Sequence, residues 1–282
     1  MNLTELRVLG SGIKVIICDL DQTLLNSNKQ ISQNDLEALR ATQAKGIFVT
    51  ICSGRIFTML GTYVRDLGIK GPLISTNGAA IVDTRDRKML WSRPVERKIA
   101  FKIMEYAKDH GFDYSALTGD TCYFSPNSTR IRWFWQYNEI AAARNMDLIP
   151  LEYFSGNHEI LQGDIFKILI YENSPGEFKT ASSYLQDMAG ISCTSSEKGL
   201  LDIMAANVDK GTGVAQLKRI LGVHREEVCV FGDYFNDLPM FQEAGFPIAM
   251  ANAHEKVKND ALAVTDSNDS DGIAKAIYQY IL

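Results

Sequence analysis

Residues 14–25 read KVIICDLDQTLL, and this stretch decides the fold class. Its first part, Lys14 to Cys18, is largely apolar, which is typical of a strand that is buried on both faces in a parallel sheet. Asp19 and Asp21 follow directly. Because open α/β sheets bind their ligands beyond the carboxyl ends of the strands, these two acids mark a candidate site.

The pair of acids favours a bound metal ion. Two carboxylates placed close together repel each other unless a cation or a proton shares them. Hard oxygen ligands of this kind suit Mg²⁺. The alternative is an ordinary solvated turn, since Asp is a common residue in turns.

The segments around this stretch alternate between strand and helix. Strand, helix, strand, helix, strand predicts parallel pairing with right-handed crossovers, and the end of the chain repeats the pattern. The predicted strands are Lys14–Cys18, Ile47–Cys52, Pro72–Thr76, Val228–Phe231 and Pro247–Met250, with another around Val264. The predicted helices run from an N-cap at Ser32 to Gly46 and over Ile56–Leu67, Lys210–Leu221, Asp237–Ala244 and Ile273–Ile281. We interpret residues 10–12, Gly-Ser-Gly, as a flexible lead-in to the first strand.

The middle of the chain has a different character, with longer helices and with strands that are amphipathic or irregular. The sequence therefore predicts an α/β protein with a Rossmann-like parallel-sheet core, residues 1–83 and 206–282, and an inserted α+β domain, residues 84–205. The predicted helices of this insertion are Val95–His110, Ser128–Asn145 and Glu177–Met188, and its strands are Asp164–Tyr171 and Gly199–Met204.

Three further segments place polar residues at strand ends or helix starts. Ser53-Gly54-Arg55 follows the second strand, where a hydroxyl and free backbone N–H groups suit an anion. Lys210 begins a helix, a position that the helix dipole disfavours for a cation unless it serves a bound anion. Residues 232–237, GDYFND, follow the buried strand Val228–Phe231. Each segment alone also fits a plain cap, a surface lysine or a turn, but the ordered set supplies the parts of a phosphoryl transfer.

Composition excludes several classes of protein. The chain of 282 residues has a net charge of −5 and no basic run, so a nucleic-acid partner is not expected. Five cysteines without close pairs argue against a disulfide framework and a zinc site. No apolar run is long enough to span a membrane, and the first residues lack the pattern of a secretory leader. We therefore expect a cytoplasmic protein without a membrane partner.

Taken in order, these motifs resemble those of the haloacid dehalogenase superfamily of phosphohydrolases, most closely its Cof-type, sugar-phosphatase-like branch. Residues 19–25 match the first motif, Ser53-Gly54-Arg55 the second, Lys210-Gly211 the third, and residues 232–237 the fourth. Smaller marks agree at residues 75–79 (STNGA), at residues 249–253 (AMANA), and at Asn268, Asp271 and Gly272. The resemblance spans nearly the whole chain and implies an α+β cap of the C2B type between the second and third motifs.

The resemblance also implies a role for each motif residue. Asp19 is the nucleophile that becomes an aspartyl phosphate, and Asp21 is the acid and base. The Mg²⁺ site is implied at the carboxylates of Asp19 and Asp233 and the backbone carbonyl of Asp21, with Asp237 holding a metal-bound water. The groups that hold the phosphoryl oxygens are Ser53, Lys210, Asn236 and the N–H groups of Leu20 and Gly54.

Two residues depart from the pattern of the family. Gln22 stands where Gly is usual, and Tyr234 stands where Asn or Ser is more usual.

The predicted activity is a Mg²⁺-dependent phosphatase of small phosphate esters, such as sugar phosphates, in a monomer or a small homo-oligomer. A hexose-phosphate mutase and a non-catalytic regulatory module are the alternatives. The second is disfavoured by four intact motif residues, Asp19, Asp21, Lys210 and Asp233.

Overall fold

The computed structural model describes residues 2–154, 158–171, 177–186 and 188–282. The chain divides into two compact units. The first unit comprises Met1–Ser53, Tyr63–Trp91 and Lys210–Leu282, and the second comprises Gly54–Thr62 and Ser92–Asp209. The expected domain boundaries at residues 84 and 205 differ from this division by several residues, and residues 54–62 group with the second unit although they precede the expected insertion.

The strands and helices are numbered in chain order. The strands are β1 (Val15–Cys18), β2 (Phe48–Ile51), β3 (Pro72–Ser75), β4 (Ala80–Asp83), β5 (Met89–Ser92), β6 (Asp113–Leu117), β7 (Cys122–Phe124), β8 (Leu151–Tyr153), β9 (Lys167–Tyr171), β10 (Ile191–Thr194), β11 (Leu200–Ala205), β12 (Val228–Gly232), β13 (Phe246–Ala249) and β14 (Ala263–Val264). The α-helices are α1 (Leu3–Gly10), α2 (Gln33–Ala44), α3 (Gly61–Leu67), α4 (Arg97–Asp109), α5 (Ile131–Ala143), α6 (Glu177–Gln186), α7 (Lys210–Leu221), α8 (Leu238–Gln242), α9 (Glu255–Asp260) and α10 (Gly272–Ala276). Short 3₁₀ helices cover Phe57–Leu60, Thr76–Gly78, His158–Ile160, Arg225–Glu227 and Phe235–Asp237, and a π-helix covers Ile277–Ile281.

The first unit is built on a parallel sheet, as the sequence predicted. Among the described residues, five strands follow the order β14-β13-β12-β1-β2, and each neighbouring pair is parallel. All four residues of β1 are buried, because helices cover both faces of such a sheet. The order places β1 in contact with β12, whose residues follow it by more than two hundred positions. Tertiary pairing therefore brings the first and fourth motifs side by side.

The third predicted strand keeps only a short parallel contact with the strand before it and pairs mainly with the strand that follows it. β3 runs antiparallel to β4 in a sheet of order β3-β4-β5, and in the described part of the chain a single parallel bridge, Cys52 with Ile74, relates it to the segment after β2. The cause is local. The turn Thr76–Gly78 contains two consecutive left-handed residues, Thr76 and Asn77, which send the chain straight back into β4.

A helix, α1, precedes the turn that leads to β1, although the sequence analysis predicted only a lead-in there. Helix α1 is capped because the Asn2 side chain accepts from the Glu5 N–H at 3.0 Å while the Glu5 carboxylate accepts from the Asn2 N–H at 2.9 Å. Gly10 ends α1 against the end of the chain, where a Cβ would lie 2.0 Å from the carbonyl oxygen of Tyr280. Gly10 therefore belongs to a helix and serves close packing, whereas Ser11 and Gly12 form the exposed turn that leads to β1.

The second unit contains a mostly antiparallel sheet with the order β10-β11-β9-β6-β7-β8, within the part of the chain that the structure describes. β7 and β8 form its parallel pair. The predicted helix Glu177–Met188 appears as α6, and residue 187 of that prediction lies outside the described residues. No helix in the described ranges is both long and apolar enough to cross a membrane.

The aromatic residues of α5 divide between the core and solvent. Phe134 and Tyr137 are buried, Trp133 is half-buried, and Trp135 is 48% exposed. This division follows from the helix, on which neighbouring side chains point about 100° apart. The third tryptophan, Trp91, packs against the hydrophobic core of the first unit, although it falls within the expected insertion.

Candidate active site

The site begins where two neighbouring strands end. Cys18 pairs with Phe231 at the last shared position of β1 and β12, and the N–H of Asp19 donates to the carbonyl of Phe231 at 2.9 Å. Asp19 and Asp233 therefore leave the same edge of the sheet, and both are buried. Parallel strands give this result because their carboxyl ends lie on one edge.

Lys210 joins two of the acids. It is the first residue of α7, it is 1% exposed, and its Nζ lies 2.5 Å from Asp19 Oδ1 and 2.6 Å from Asp237 Oδ1. A buried ammonium needs such partners, since an unpaired charge would lose its hydration without compensation. The predicted cation at the start of this helix thus serves two carboxylates that lie far from it in sequence.

Asp237 closes the turn that carries Asp233. Its Oδ2 accepts from the N–H of Asp233 at 2.8 Å and from the N–H of Tyr234 at 3.0 Å. Gly232 is required beside it, because a Cβ there would lie 2.7 Å from the Asp237 carboxyl carbon. The Gly-Asp-Tyr-Phe-Asn-Asp segment is therefore a compact loop organised around one carboxylate.

Thr23 is a site residue that the sequence analysis did not single out. Its Oγ1 donates to Asp233 Oδ1 at 2.7 Å, and the threonine is buried. Its place in the first motif, four residues after Asp19, was visible in the sequence. Its partner was not, because the two residues are 210 positions apart.

The charges of the cluster do not balance. Burial, together with repulsion from Asp237, raises the pKa of Asp19 to about 7 against the partial compensation of Lys210. Burial and the carboxylates of Asp237 and Asp19 raise the pKa of Asp233 to about 8. Burial favours the neutral amine of Lys210, but Asp19 and Asp237 outweigh this and raise its pKa. Among the described residues, three buried carboxyl groups therefore lie close together, and the Lys210 ammonium pairs with two of them.

This imbalance fits a divalent cation. One carboxylate oxygen from each of Asp19, Asp233 and Asp237 lies within 4.8 Å of the others, and all three residues are buried. Oxygen ligands in such an arrangement suit Mg²⁺. A second positive centre would offset the repulsion that raises the pKa values of Asp19 and Asp233.

Asp21 lies at a more open position. Its side chain is 36% exposed, and its Oδ1 accepts from Lys29 Nζ at 3.1 Å. The side chain of Leu20, between the two acids, is fully buried, and its carbonyl accepts from the N–H of Leu25 at 2.8 Å. The nucleophile candidate is thus enclosed, whereas the acid–base candidate reaches solvent.

Two of the candidate phosphate-binding residues, Ser53 and Asn236, contact the Thr76–Gly78 turn. The N–H of Ser53 donates to the carbonyl of Ile74 at 3.1 Å, and the carbonyl of Ser53 accepts from the N–H of Asn77 at 2.9 Å. Asn236 Nδ2 donates to Asn77 Oδ1 at 3.2 Å. Asn77 therefore connects two residues from different motifs, although the sequence analysis gave it no role in the site.

Gly54 is the first residue of the second unit. Its carbonyl accepts from Lys167 Nζ at 3.0 Å, and Lys167 forms a buried ion pair with Asp202. The backbone after Ser53 is therefore fixed by residues of the second unit itself.

Comparison with known proteins shows which family the chain belongs to. The family described as haloacid dehalogenase-like hydrolase matches residues 16–277. A 5-amino-6-(5-phospho-D-ribitylamino)uracil phosphatase, YwtE of Bacillus subtilis, is 30% identical over 95% of this chain and 98% of that protein. The phosphatase YwpJ of the same organism is 28% identical over 93% of this chain and 98% of its own length. A solved structure, a haloacid dehalogenase-like hydrolase from B. subtilis, matches with a TM-score of 0.82 and 27% identity over 94% of this chain and 99% of that chain.

Proposed function

The chain belongs to the haloacid dehalogenase-like hydrolase family and is a phosphatase of small phosphorylated molecules, and on this premise we propose a Mg²⁺-dependent reaction through a phosphate ester on Asp19. The observation that carries the proposal is the buried cluster of Asp19, Asp233 and Asp237 around Lys210. Such a cluster offers a nucleophile, a metal site and a counter-cation within one small volume.

In the first step, a carboxylate oxygen of Asp19 forms a bond to phosphorus while the bond from phosphorus to the leaving oxygen breaks. The carboxyl group of Asp21 gives its proton to that oxygen, which departs as an alcohol. Lys210 holds Asp19 Oδ1 at 2.5 Å and so fixes the orientation of the nucleophile. Mg²⁺ at Asp19 and Asp233, with the backbone carbonyl of Asp21 and a water held by Asp237, would neutralise the repulsion between the carboxylate and the phosphate.

In the second step, the carboxylate of Asp21 takes a proton from water, and the water oxygen attacks phosphorus. The bond between phosphorus and Asp19 breaks, which releases inorganic phosphate and restores both side chains. The partial exposure of Asp21 supports this role, because its carboxyl group must meet both the substrate and water. We assign the phosphoryl oxygens to Ser53, Lys210, Asn236 and the N–H groups of Leu20 and Gly54.

The substrate class is a small phosphorylated metabolite, such as a sugar phosphate. Two relatives support a phosphate ester on a small molecule: YwtE acts on 5-amino-6-(5-phospho-D-ribitylamino)uracil, and YbhA of Escherichia coli, 24% identical, is named a pyridoxal phosphate phosphatase. The inserted segment, expected at residues 84–205, would set the choice among such substrates, since Asp19, Asp21, Lys210 and Asp233 all lie outside it.

The test is release of inorganic phosphate from a panel of sugar, nucleotide and cofactor phosphates, with Mg²⁺ and with excess chelator. We expect turnover with Mg²⁺ alone, and none from Asp19→Asn, because an amide is a far weaker nucleophile. Full turnover in excess chelator would remove the metal from the mechanism. Near-normal kcat for Asp19→Asn, with mass spectrometry excluding deamidation, would remove the covalent step.

The same panel separates hydrolysis from phosphoryl exchange. A mutase would interconvert hexose phosphates and release little inorganic phosphate. Release of inorganic phosphate without interconversion therefore supports the phosphatase, and the opposite result supports the mutase.

A further inference from the structure

One buried donor beside the candidate phosphate site has no hydrogen-bond partner within the part of the chain that the structure describes. Nδ2 of Asn77 makes no hydrogen bond to any of the described residues, and Asn77 is 0% exposed. Buried polar groups are nearly always paired, and an exception calls for an explanation, such as a missing ligand or water. The position of this amide group suggests the ligand.

The backbone at Asn77 is held in an unusual conformation. Thr76 has a φ of 53° and Asn77 a φ of 52°. Residues other than Gly seldom adopt this left-handed region of backbone conformation. Consecutive residues of this kind persist only where the surroundings enforce them, and they concentrate at functional sites. Here the turn packs against α7, because a Cβ on Gly213 would lie 2.9 Å from the Gly78 Cα.

Two other groups of Asn77 bind candidate phosphate-binding residues. Its N–H donates to the Ser53 carbonyl at 2.9 Å, and its Oδ1 accepts from Asn236 Nδ2 at 3.2 Å. The side chain thus lies between the second and fourth motifs, close to Asn236. The free Nδ2 belongs to the same planar amide, so its position is fixed by the contact with Asn236.

We propose that Asn77 is a further phosphate-binding residue, whose Nδ2 donates a hydrogen bond to a phosphoryl oxygen of the bound ester. This inference rests on the proposed function, because it assumes that Ser53 and Asn236 hold the phosphoryl group. A phosphate oxygen is a strong acceptor, and a donor without a competing partner is preorganised for it. The strained turn fixes the donor before the substrate arrives.

The test uses Asn77→Gly in the full chain. Glycine accepts the left-handed backbone, so the change removes the amide without adding strain. The matched control is Asn145→Gly, which has the same φ of 52° but lies exposed at the end of α5. Binding of inorganic phosphate in the presence of Mg²⁺ is measured by calorimetry, together with KM and kcat for p-nitrophenyl phosphate.

We expect Asn77→Gly to weaken phosphate binding by about tenfold or more, the usual effect of losing a hydrogen bond to a charged group. Asn145→Gly should leave binding unchanged. Unchanged phosphate affinity in Asn77→Gly would overturn the inference and leave a buried water as the partner of Nδ2. Calorimetry needs no turnover, so an inactive wild-type enzyme that still binds phosphate would count against the proposed function alone.

A second comparison separates direct binding from an effect through Asn236. Asn77→Gly is measured again in an Asn236→Ala background. If Asn77 contacts the phosphate itself, the loss of affinity persists in this background. If the loss disappears, Asn77 acts only by orienting Asn236, and the proposal of a direct contact is wrong. Thermal unfolding of each variant checks that the fold is retained.

Discussion

The ammonium of Lys210 lies 2.5 Å from Oδ1 of Asp19, and both side chains are almost completely buried. The same ammonium reaches Asp237 Oδ1 at 2.6 Å. One cation thus connects the start of α7 to the turn after β1 and to the turn after β12. The cluster is at once part of the candidate active site and part of the core of the first unit.

Replacing Lys210 tests its role in the candidate active site and its role in the core of the first unit. Lys210→Met should lower kcat by at least about a hundredfold, because the nucleophile loses the group that orients it. It should also lower the free energy of unfolding by about 3–5 kcal/mol, since buried carboxylates lose their partner. Steady-state kinetics and urea unfolding measure the two effects.

The control is Lys218→Met on the same helix, where Lys218 Nζ pairs with Glu243 Oε2 at 2.7 Å away from the acid cluster. Its kcat should stay at the wild-type value. An active Lys210→Met enzyme would show that the pair with Asp19 is only structural.

The raised pKa values predict how pH acts on the metal-free protein. Asp19 and Asp233 have folded pKa values of about 7 and about 8, above the ordinary value of 3.8 that holds in the unfolded chain. At pH values between the unfolded and the folded pKa values, the folded state binds more protons than the unfolded state. The free energy of unfolding therefore falls as pH rises. Mg²⁺ favours the ionised carboxylates, and its stabilising effect should therefore grow from about pH 5 to pH 8.

Thermal unfolding with Mg²⁺ and with chelator, as a function of pH, measures this difference. In Asp233→Asn, which removes one titrating group, the loss of stability with rising pH should be shallower and Mg²⁺ should stabilise the protein less. A Mg²⁺ effect that is the same at all pH values would contradict the assignment of the metal to these acids.

Thr23 should affect the affinity for Mg²⁺ through its hydrogen bond to Asp233. Thr23→Val keeps the shape of the side chain but removes the hydrogen bond of 2.7 Å to Asp233 Oδ1. Loss of such a partner of a metal ligand weakens metal affinity by about 10–100-fold. Titration of activity with Mg²⁺ measures the change.

The matched control is Thr50→Val, a buried threonine whose Oγ1 donates to the Pro72 carbonyl at 2.8 Å. It should reduce stability without changing the Mg²⁺ concentration at half-maximal activity. Equal metal dependence in the two variants would show that the contact of Thr23 is not part of the metal site.

Helix α5 offers a test of the proposed specificity segment. Phe134→Ala should lower the free energy of unfolding by about 3–5 kcal/mol and leave the ranking of substrates unchanged, since Phe134 is buried. Trp135→Ala should cost little stability, because Trp135 is 48% exposed. A change in the ranking caused by Trp135→Ala or by Arg132→Ala, which is also exposed, would support the role in substrate choice. If no stable variant in the segment altered the ranking, that role would be lost.

The strand–helix order of the core could be read from local pattern. Buried strands appear as apolar runs in the sequence. The helix after Ser32 is predicted by its N-cap residue, and in the structure the Ser32 hydroxyl accepts from the Asp35 N–H at 3.1 Å. The pairing of β3 could not, because the two left-handed residues that reverse the chain after it, Thr76 and Asn77, leave no periodic signal. Helix α1 was missed although the Asn2–Glu5 capping box was present in the sequence.

The sequence by itself determined where the buried strands of the core end and which polar residues follow them. A few neighbouring residues are enough for this, because an apolar run gives way to polar residues at the end of the strand. Tertiary structure alone decided which of them meet. The contacts of Lys210 with Asp19, of Thr23 with Asp233 and of Asn77 with Asn236 each join residues more than 150 positions apart. The strand order β12-β1-β2 and the packing of α7 on the Thr76–Gly78 turn create these contacts. The physical reason is that propensity and periodicity act over a few residues, whereas pKa shifts and metal sites arise from charges brought together in space.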